Sequence, residues 1–180
     1  MILHVANHAV FLKLKGMKIG FGAIGKGYTA DKAKALLIEK GAVAGIINAY
    51  GDLNTWRTQP NGKYWMIAII NPLNKKNVFS WMPIKNSTIV TSGNYEKSVT
   101  FNNILYTHIL DPRTGYPATG ILSVSVFAKT AELADALATS IFVMGKETGM
   151  AFINQLNGVE CGIVDHNNTL ASSKNIELNP

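Results

Sequence analysis

The sequence holds a single cysteine, Cys161, so no internal disulfide can form. Its setting, GVECGIVD, reads as a small buried hydrophobe and not as a catalytic thiol. Charged residues make up only 16% of the chain. There is no Arg-rich helix and no basic run beyond Lys75-Lys76. A net charge of +6 therefore points to a mild preference for anionic ligands more than to a nucleic-acid surface. No apolar run approaches the ~20 residues that a membrane-spanning helix needs. The N-terminus, MILHVANHAVFLKLKGMKIG, lacks the basic start, apolar centre and small-residue cleavage site of a signal peptide. The chain as it stands is expected to be soluble. No internal repeat and no low-complexity tract interrupts it.

What the sequence does contain is a foldable alternation. Its 180 residues, 47% of them hydrophobic, suit one domain with a sizeable core. Val10–Leu14 alternates like a strand. A helix is expected from about Lys26 to Gly41, with Tyr28, Ala35 and Leu36 on one face and Lys32, Lys34 and Lys40 outside. Ala42–Ala49 reads as a buried strand closed by Tyr50-Gly51-Asp52. Further strands are expected at Trp65–Ile70, Val78–Met82, Ser87–Thr91 and Ile121–Ala128. Val99–Leu105 is expected to form a hairpin turning at Asn102-Asn103. Thr130 should cap a helix that runs to Met144 and stops at Gly145. A third helix should start at Thr148. Strands at Cys161–Asp165 and Thr169–Ser172 close the chain. Many strands, few helices and no strict βαβ rhythm give an α+β class with a mostly antiparallel sheet and packed helices.

Three stretches carry candidate chemistry. Gly20, Gly22, Gly25 and Gly27 form GxGxxGxG, which is neither the dinucleotide fingerprint nor a P-loop, since Gly27 follows Lys26 where Ser or Thr is required. Two readings stay open here. One is tight strand–helix packing; the other is reception of a phosphate-bearing ligand by backbone N–H groups and Lys26. Asp135 and Thr139, four apart, share a helix face among small and apolar neighbours. A carboxylate there is costly unless paired or bound to a cation. An oxygen pair of this kind suits Mg²⁺, while pairing of Asp135 with Arg113 or Lys26 is the plainer alternative. His108 opens HILDPRTG on a turn over a sheet edge, as a general base or as a turn-stabilising residue. Asp52 and Ser92 sit at polar strand ends, and no GxSxG context makes Ser92 a nucleophile. His4, His8 and His166 lack companions at metal-ligand spacing.

Five motifs in order, FGAIGKGYTADKA, INAYGD, TSGNYE, THILDPRTGYPA and ADALATSIFVMG, resemble the ApbE-type flavin transferases. These are the FAD:protein FMN transferases, formerly described as thiamine-biosynthesis lipoproteins. The resemblance runs from about Val10 to Asp165. It implies a T-fold-like α+β domain that binds FAD with Mg²⁺, transfers FMN to a threonine hydroxyl of an acceptor protein and releases AMP; some relatives instead hydrolyse FAD to FMN and AMP. By motif, Asp135, the Thr139 hydroxyl and the Ala23 carbonyl are implied as metal ligands. Lys26 and Leu110 are implied to line the FAD site, and His108 to activate the acceptor threonine. Implied acceptors are redox-complex subunits or secreted flavoproteins with a short Thr-containing motif, and the implied location is periplasmic or facing the cell envelope. A sequence pI of 9.4 accords with an anionic dinucleotide substrate. Residues 1–180 are expected as one flavin transferase domain lacking the family's N-terminal segment. Gly20 stands where the family has an acidic or amide residue, so that contact to FAD is expected to be missing.

Overall fold

The computed structural model describes residues 1–74, 76–93, 98–101, 104–176 and 178. In chain order the elements are β1 (Ile2–His4), β2 (Ala9–Phe11), α1 (Gly25–Glu39), β3 (Gly45–Ala49), β4 (Asp52–Trp56), β5 (Trp65–Ile70), β6 (Val78–Ile84) and β7 (Thr88–Gly93). Then follow β8 (Ser98–Phe101), β9 (Ile104–Thr107), β10 (Ile121–Ala128), α2 (Ala131–Met144), α3 (Lys146–Ile153), β11 (Glu160–Asp165) and β12 (Leu170–Ser172). A six-stranded sheet, ordered β12-β11-β10-β7-β4-β3, forms the centre, and each of its pairings is antiparallel. This is the expected α+β architecture.

The sheet is covered on both faces at β10, whose eight residues are all buried. Its alternation suggests one wet face; instead the polar positions are small serines that fit inside. Ser125 Oγ lies 2.8 Å from Thr91 Oγ1 on β7, which satisfies a buried hydroxyl. Val124 and Val126 join Ala134, Ala138, Ile141 and Phe142 of α2 in one core. Burying a side chain the size of Phe142 stabilises by roughly 1.5–3 kcal/mol. On the other side Phe127 and Ile89 meet Ile67, Ile69 and Ile84 of the β5–β6 ribbon.

Helix α1 departs from the expected face. Gly27 and Ala30 are its buried residues, whereas Tyr28, Leu36, Leu37 and Ile38 are exposed. The cause is what α1 packs against. Its first turn crosses the start of α2 so closely that a Cβ on Gly27 would stand 2.2 Å from the Ala131 carbonyl oxygen. One turn on, Asp31 accepts from the N–H groups of Ala131 (3.0 Å) and Glu132 (2.9 Å). Thr130 Oγ1 accepts from Leu133 N at 3.4 Å, so α2 receives caps from two elements. Lys34, expected outside, is half-buried and donates to Asn54 Oδ1 and the Thr55 carbonyl, both at 2.9 Å. Burial pulls the Lys34 ammonium pKa down, and the Asp31 carboxylate opposes that pull. Removing the cap with Asp31→Ala is expected to cost about 1–3 kcal/mol, measured as a lower urea midpoint.

Other boundaries moved for local reasons. β3 is an edge strand and only half-buried, not the interior strand its composition suggests. The strand expected at Val10–Leu14 is the shorter β2, Ala9–Phe11, and it pairs with β1. α3 begins at Lys146 rather than Thr148, because Gly145 (φ 87°) ends α2 and turns directly into it. β8 pairs with β9, but the Asn102-Asn103 turn lies outside the described residues. Cys161 is fully buried, and burial pushes its thiol up to about 12, which keeps it protonated and inert.

Lys146 Nζ lies 2.6 Å from Asp165 Oδ2. That ammonium, with the Thr169 and Asn167 N–H groups, holds the Asp165 carboxyl below the ordinary carboxylate range. A depressed folded-state value adds stability that is full above the unfolded-state value and lost as pH falls through the folded one. Lys146→Met is therefore expected to shrink the loss of stability on acidification, read from urea midpoints between about pH 7 and about pH 3.

Candidate active site

A cleft of about 530 Å³ opens where α1, α2 and the ends of β3, β7 and β9 meet. Gly22, Ala23 and Lys26 line it from the start of α1, and Thr91, Ser92 and Gly93 from the end of β7. His108, Ile109 and Leu110 line it from the segment after β9, and Asp135, Thr139 and Val143 from α2. Tyr50 stands at its mouth on the β3–β4 hairpin, where Tyr50 (φ 58°) and Gly51 (φ 95°) make the left-handed turn that joins twisted strands.

The floor of the cleft is acidic. Asp135 is 2% exposed, and its Oδ2 accepts from the Gly27 N–H at 3.0 Å. This hydrogen bond fixes the α1 terminus over α2. Thr139, one turn on, presents Oγ1 at 3.3 Å from Ser92 Oγ. Asp52, 1% exposed, accepts from Thr91 N at 3.2 Å and meets Lys26 Nζ at 2.6 Å. Burial pushes the Asp52 carboxyl up; Lys26 and the Thr91 N–H pull against it, and the nearby Asp135 carboxylate adds to the rise. Two buried carboxylates close enough to feel each other make a position that favours positive charge.

The loop after β9 is held by Arg113. Its Nη2 donates to Asp111 Oδ2 at 2.8 Å and to the Val143 carbonyl at 2.9 Å, and its Nε donates to Asp111 Oδ1 at 2.9 Å. A guanidinium on the last turn of α2 also suits the negative end of the helix dipole. A bridge between Leu110 and Pro117, and the Thr114 and Gly115 N–H groups on the Asp111 carbonyl, close the turn. Arg113 is thereby committed to Asp111 and Val143, so the alternative of an Arg113–Asp135 pair does not arise.

Residues 2–163 match the sequence pattern of the ApbE family. The chain belongs to the ApbE family. It is 34% identical over 168 residues to the FAD:protein FMN transferase of Treponema pallidum, covering 86% of this chain and 46% of that protein. To the FAD:protein FMN transferase of Klebsiella pneumoniae it is 31% identical over 183 residues, covering 99% and 56%. The structure superposes on the ApbE protein of Thermotoga maritima with a TM-score of 0.86 at 33% identity, covering 96% of this chain and 56% of that one. The apo flavinyl transferase ApbE of Pseudomonas stutzeri gives 0.75 at 28% identity, covering 87% and 50%. The chain spans about half the length of the relatives it matches.

In this ApbE chain the six residues singled out from the sequence, Ala23, Lys26, His108, Leu110, Asp135 and Thr139, all line the one cleft. Two further residues, Tyr50 and Asp52, stood in the INAYGD motif without an assigned role. Asp52 reads as a polar strand end that closes a turn; it begins β4 and pairs with Lys26. Tyr50 lines the cleft from the same turn. Of the TSGNYE motif, Thr91–Gly93 reach the cleft, while Asn94, Tyr95 and Glu96 lie outside the described residues.

Proposed function

We propose that the cleft takes FAD together with Mg²⁺ and transfers its FMN moiety to a threonine hydroxyl of an acceptor protein, releasing AMP. The observation that carries this reading is the convergence of all six residues on one cleft, in a chain whose relatives bear the name FAD:protein FMN transferase. The acceptor is proposed to be a redox-complex subunit at the cell envelope, with a short Thr-containing motif, and the 180 residues to act as one flavin transferase domain.

The donors fit Mg²⁺. The Asp135 carboxylate, the Thr139 hydroxyl and the Ala23 carbonyl offer only hard oxygen ligands, few enough to leave places for water and phosphate oxygens. Among the described residues no three His, Cys, Asp or Glu side chains form a metal cluster, so hydroxyl and carbonyl oxygens complete the set. Held there, a cation would supply charge neutralisation at the pyrophosphate.

The protein's own groups supply the rest. Lys26, steadied by Asp52, brings positive charge to the phosphates beside the N-terminus of α1. Leu110 is exposed and offers an apolar wall to the flavin. His108 accepts the proton of the threonine hydroxyl. The hydroxyl oxygen bonds to the FMN phosphorus, the bond from that phosphorus to the AMP phosphate oxygen breaks, and AMP leaves with the electron pair.

Incubation with FAD and Mg²⁺, with and without a Thr-containing acceptor peptide, tests the reading. AMP is expected only with the peptide, which becomes covalently yellow. AMP with free FMN in the absence of peptide makes the protein an FAD pyrophosphatase. Retained FAD without AMP makes it a binding module. His108→Ala is expected to slow AMP release on the order of 10²- to 10⁴-fold and to leave FAD affinity within about twofold.

A further inference from the structure

The β5–β6 ribbon is apolar on both faces. Residues directly opposite in an antiparallel pair share a face, and the register sorts them. Trp65/Ile84, Ile67/Met82 and Ile69/Ser80 turn inward onto the second core. Met66/Pro83, Ala68/Trp81 and Ile70/Val78 make up the other face. A sheet face in water ordinarily alternates to polar residues. Here the outer face has none, and Trp81 is 60% exposed and Met66 52% exposed.

Along the sequence that builds this ribbon the charge has one sign. Between Asp52 and Glu96 the sequence has no Asp or Glu, and five basic residues, Arg57, Lys63, Lys75, Lys76 and Lys85. Exposed Lys63 and Lys85 flank the end where Trp65 pairs with Ile84, and exposed Lys76 lies in the connection at the other end. Lys85 Nζ also sits 5.8 Å from the centre of the half-exposed Tyr64 ring. The apolar face of α1, by contrast, lies beside Glu39 and has lysines and acids mixed along it.

We propose that the outer face of the β5–β6 ribbon docks on an anionic lipid surface. A wholly apolar patch centred on tryptophan, with lysines at both ends, suits the boundary between acyl chains and headgroups. Trp81, Met66 and Ile70 enter the boundary while the lysine stems lie along it and carry their charges to lipid phosphates. Strands of six and seven residues reach only ~20–24 Å, and no described helix is long and apolar enough to cross a membrane. The ribbon therefore lies in the plane of the surface. A protein partner would meet the same apolar patch, but nothing on the ribbon offers the patterned polar groups that specify one.

Sedimentation with phosphatidylcholine vesicles, with and without phosphatidylglycerol, tests this. The protein is expected to sediment with the anionic vesicles and not with the neutral ones, and to be released at high salt. Of three tryptophans, Trp56 is buried and Trp65 half-buried, so a blue shift of emission on binding reports Trp81. Trp81→Phe is expected to keep binding and lose most of the shift. Paired Lys63→Glu and Lys85→Glu, or Met66→Ser with Trp81→Ser, are expected to lower partition by about tenfold or more with an unchanged far-UV circular dichroism spectrum. No sedimentation, equal partition onto neutral vesicles, or binding unaltered in both double variants overturns the proposal. So does self-association, or capture of a soluble protein, that the serine variant abolishes while vesicles are ignored.

Discussion

Asp135→Asn is expected to cut Mg²⁺-dependent AMP release on the order of a hundred- to a thousandfold without unfolding the protein. The substitution keeps the shape of the side chain and leaves an amide oxygen to accept from the Gly27 N–H, now at 3.0 Å from Asp135 Oδ2. What it removes is the charge. On a side chain only 2% exposed, that charge holds a hard cation far better than a neutral amide does. The Mg²⁺ concentration needed for half-maximal turnover should rise with the loss of rate. Asp135→Ala is a blunter instrument, because it also leaves a buried N–H unpaired, at a cost of about 1–3 kcal/mol. Turnover of the Asn variant at wild-type rate and Mg²⁺ requirement, measured by chromatography of AMP, would show that the cation is held elsewhere.

Gly27→Ala is expected to be the most damaging single change to stability. The added Cβ would stand 2.2 Å from the Ala131 carbonyl oxygen, 2.5 Å from its carbon and 2.8 Å from Glu132 Cα. These are backbone atoms in the first turn of α2, and they cannot swing aside as a side chain can. The helices must separate, which breaks the Gly27–Asp135 hydrogen bond and the Asp31 caps together. A loss of about 3 kcal/mol is expected, seen as a lower urea midpoint, along with loss of FAD turnover. Gly25→Ala, where nothing lies within 4 Å, is expected to change stability by less than about 1 kcal/mol. Equal effects at the two positions would show that the helix crossing is not the constraint.

The two readings of the glycine-rich loop fall on different residues: packing is seen at Gly27, against helix α2 and not a strand, and phosphate reception stays part of the proposal. Gly27 answers to helix packing, while Gly22 lines the cleft. Periodicity showed the strands that bury apolar residues, such as Trp65–Ile70 and Ile121–Ala128, with their observed limits. It failed at β4, DLNTW, where Asp52, Asn54 and Thr55 are buried polar residues. Asn54 bonds to Lys34 and Asp31, and Thr55 Oγ1 donates to the Ser87 carbonyl. Their partners lie on other elements, so no local pattern announces that they are satisfied. For the same reason Lys34 read as solvated and the apolar side of α1 as buried. Within the site, four-residue spacing was enough to place Asp135 and Thr139 on one face. What brings Lys26 and His108 to them is the α1–α2 crossing and the Arg113 clamp, and both are tertiary.

Crystals of the protein grown with FAD and Mn²⁺ in place of Mg²⁺ show where the cation sits, because anomalous scattering locates it. One manganese peak is expected about 2.1–2.2 Å from a carboxylate oxygen of Asp135 and the Thr139 hydroxyl. It should face the Ala23 carbonyl and touch the FAD pyrophosphate, with Leu110 against the flavin. A peak away from Asp135, or a pyrophosphate bound outside the cleft, would contradict the account.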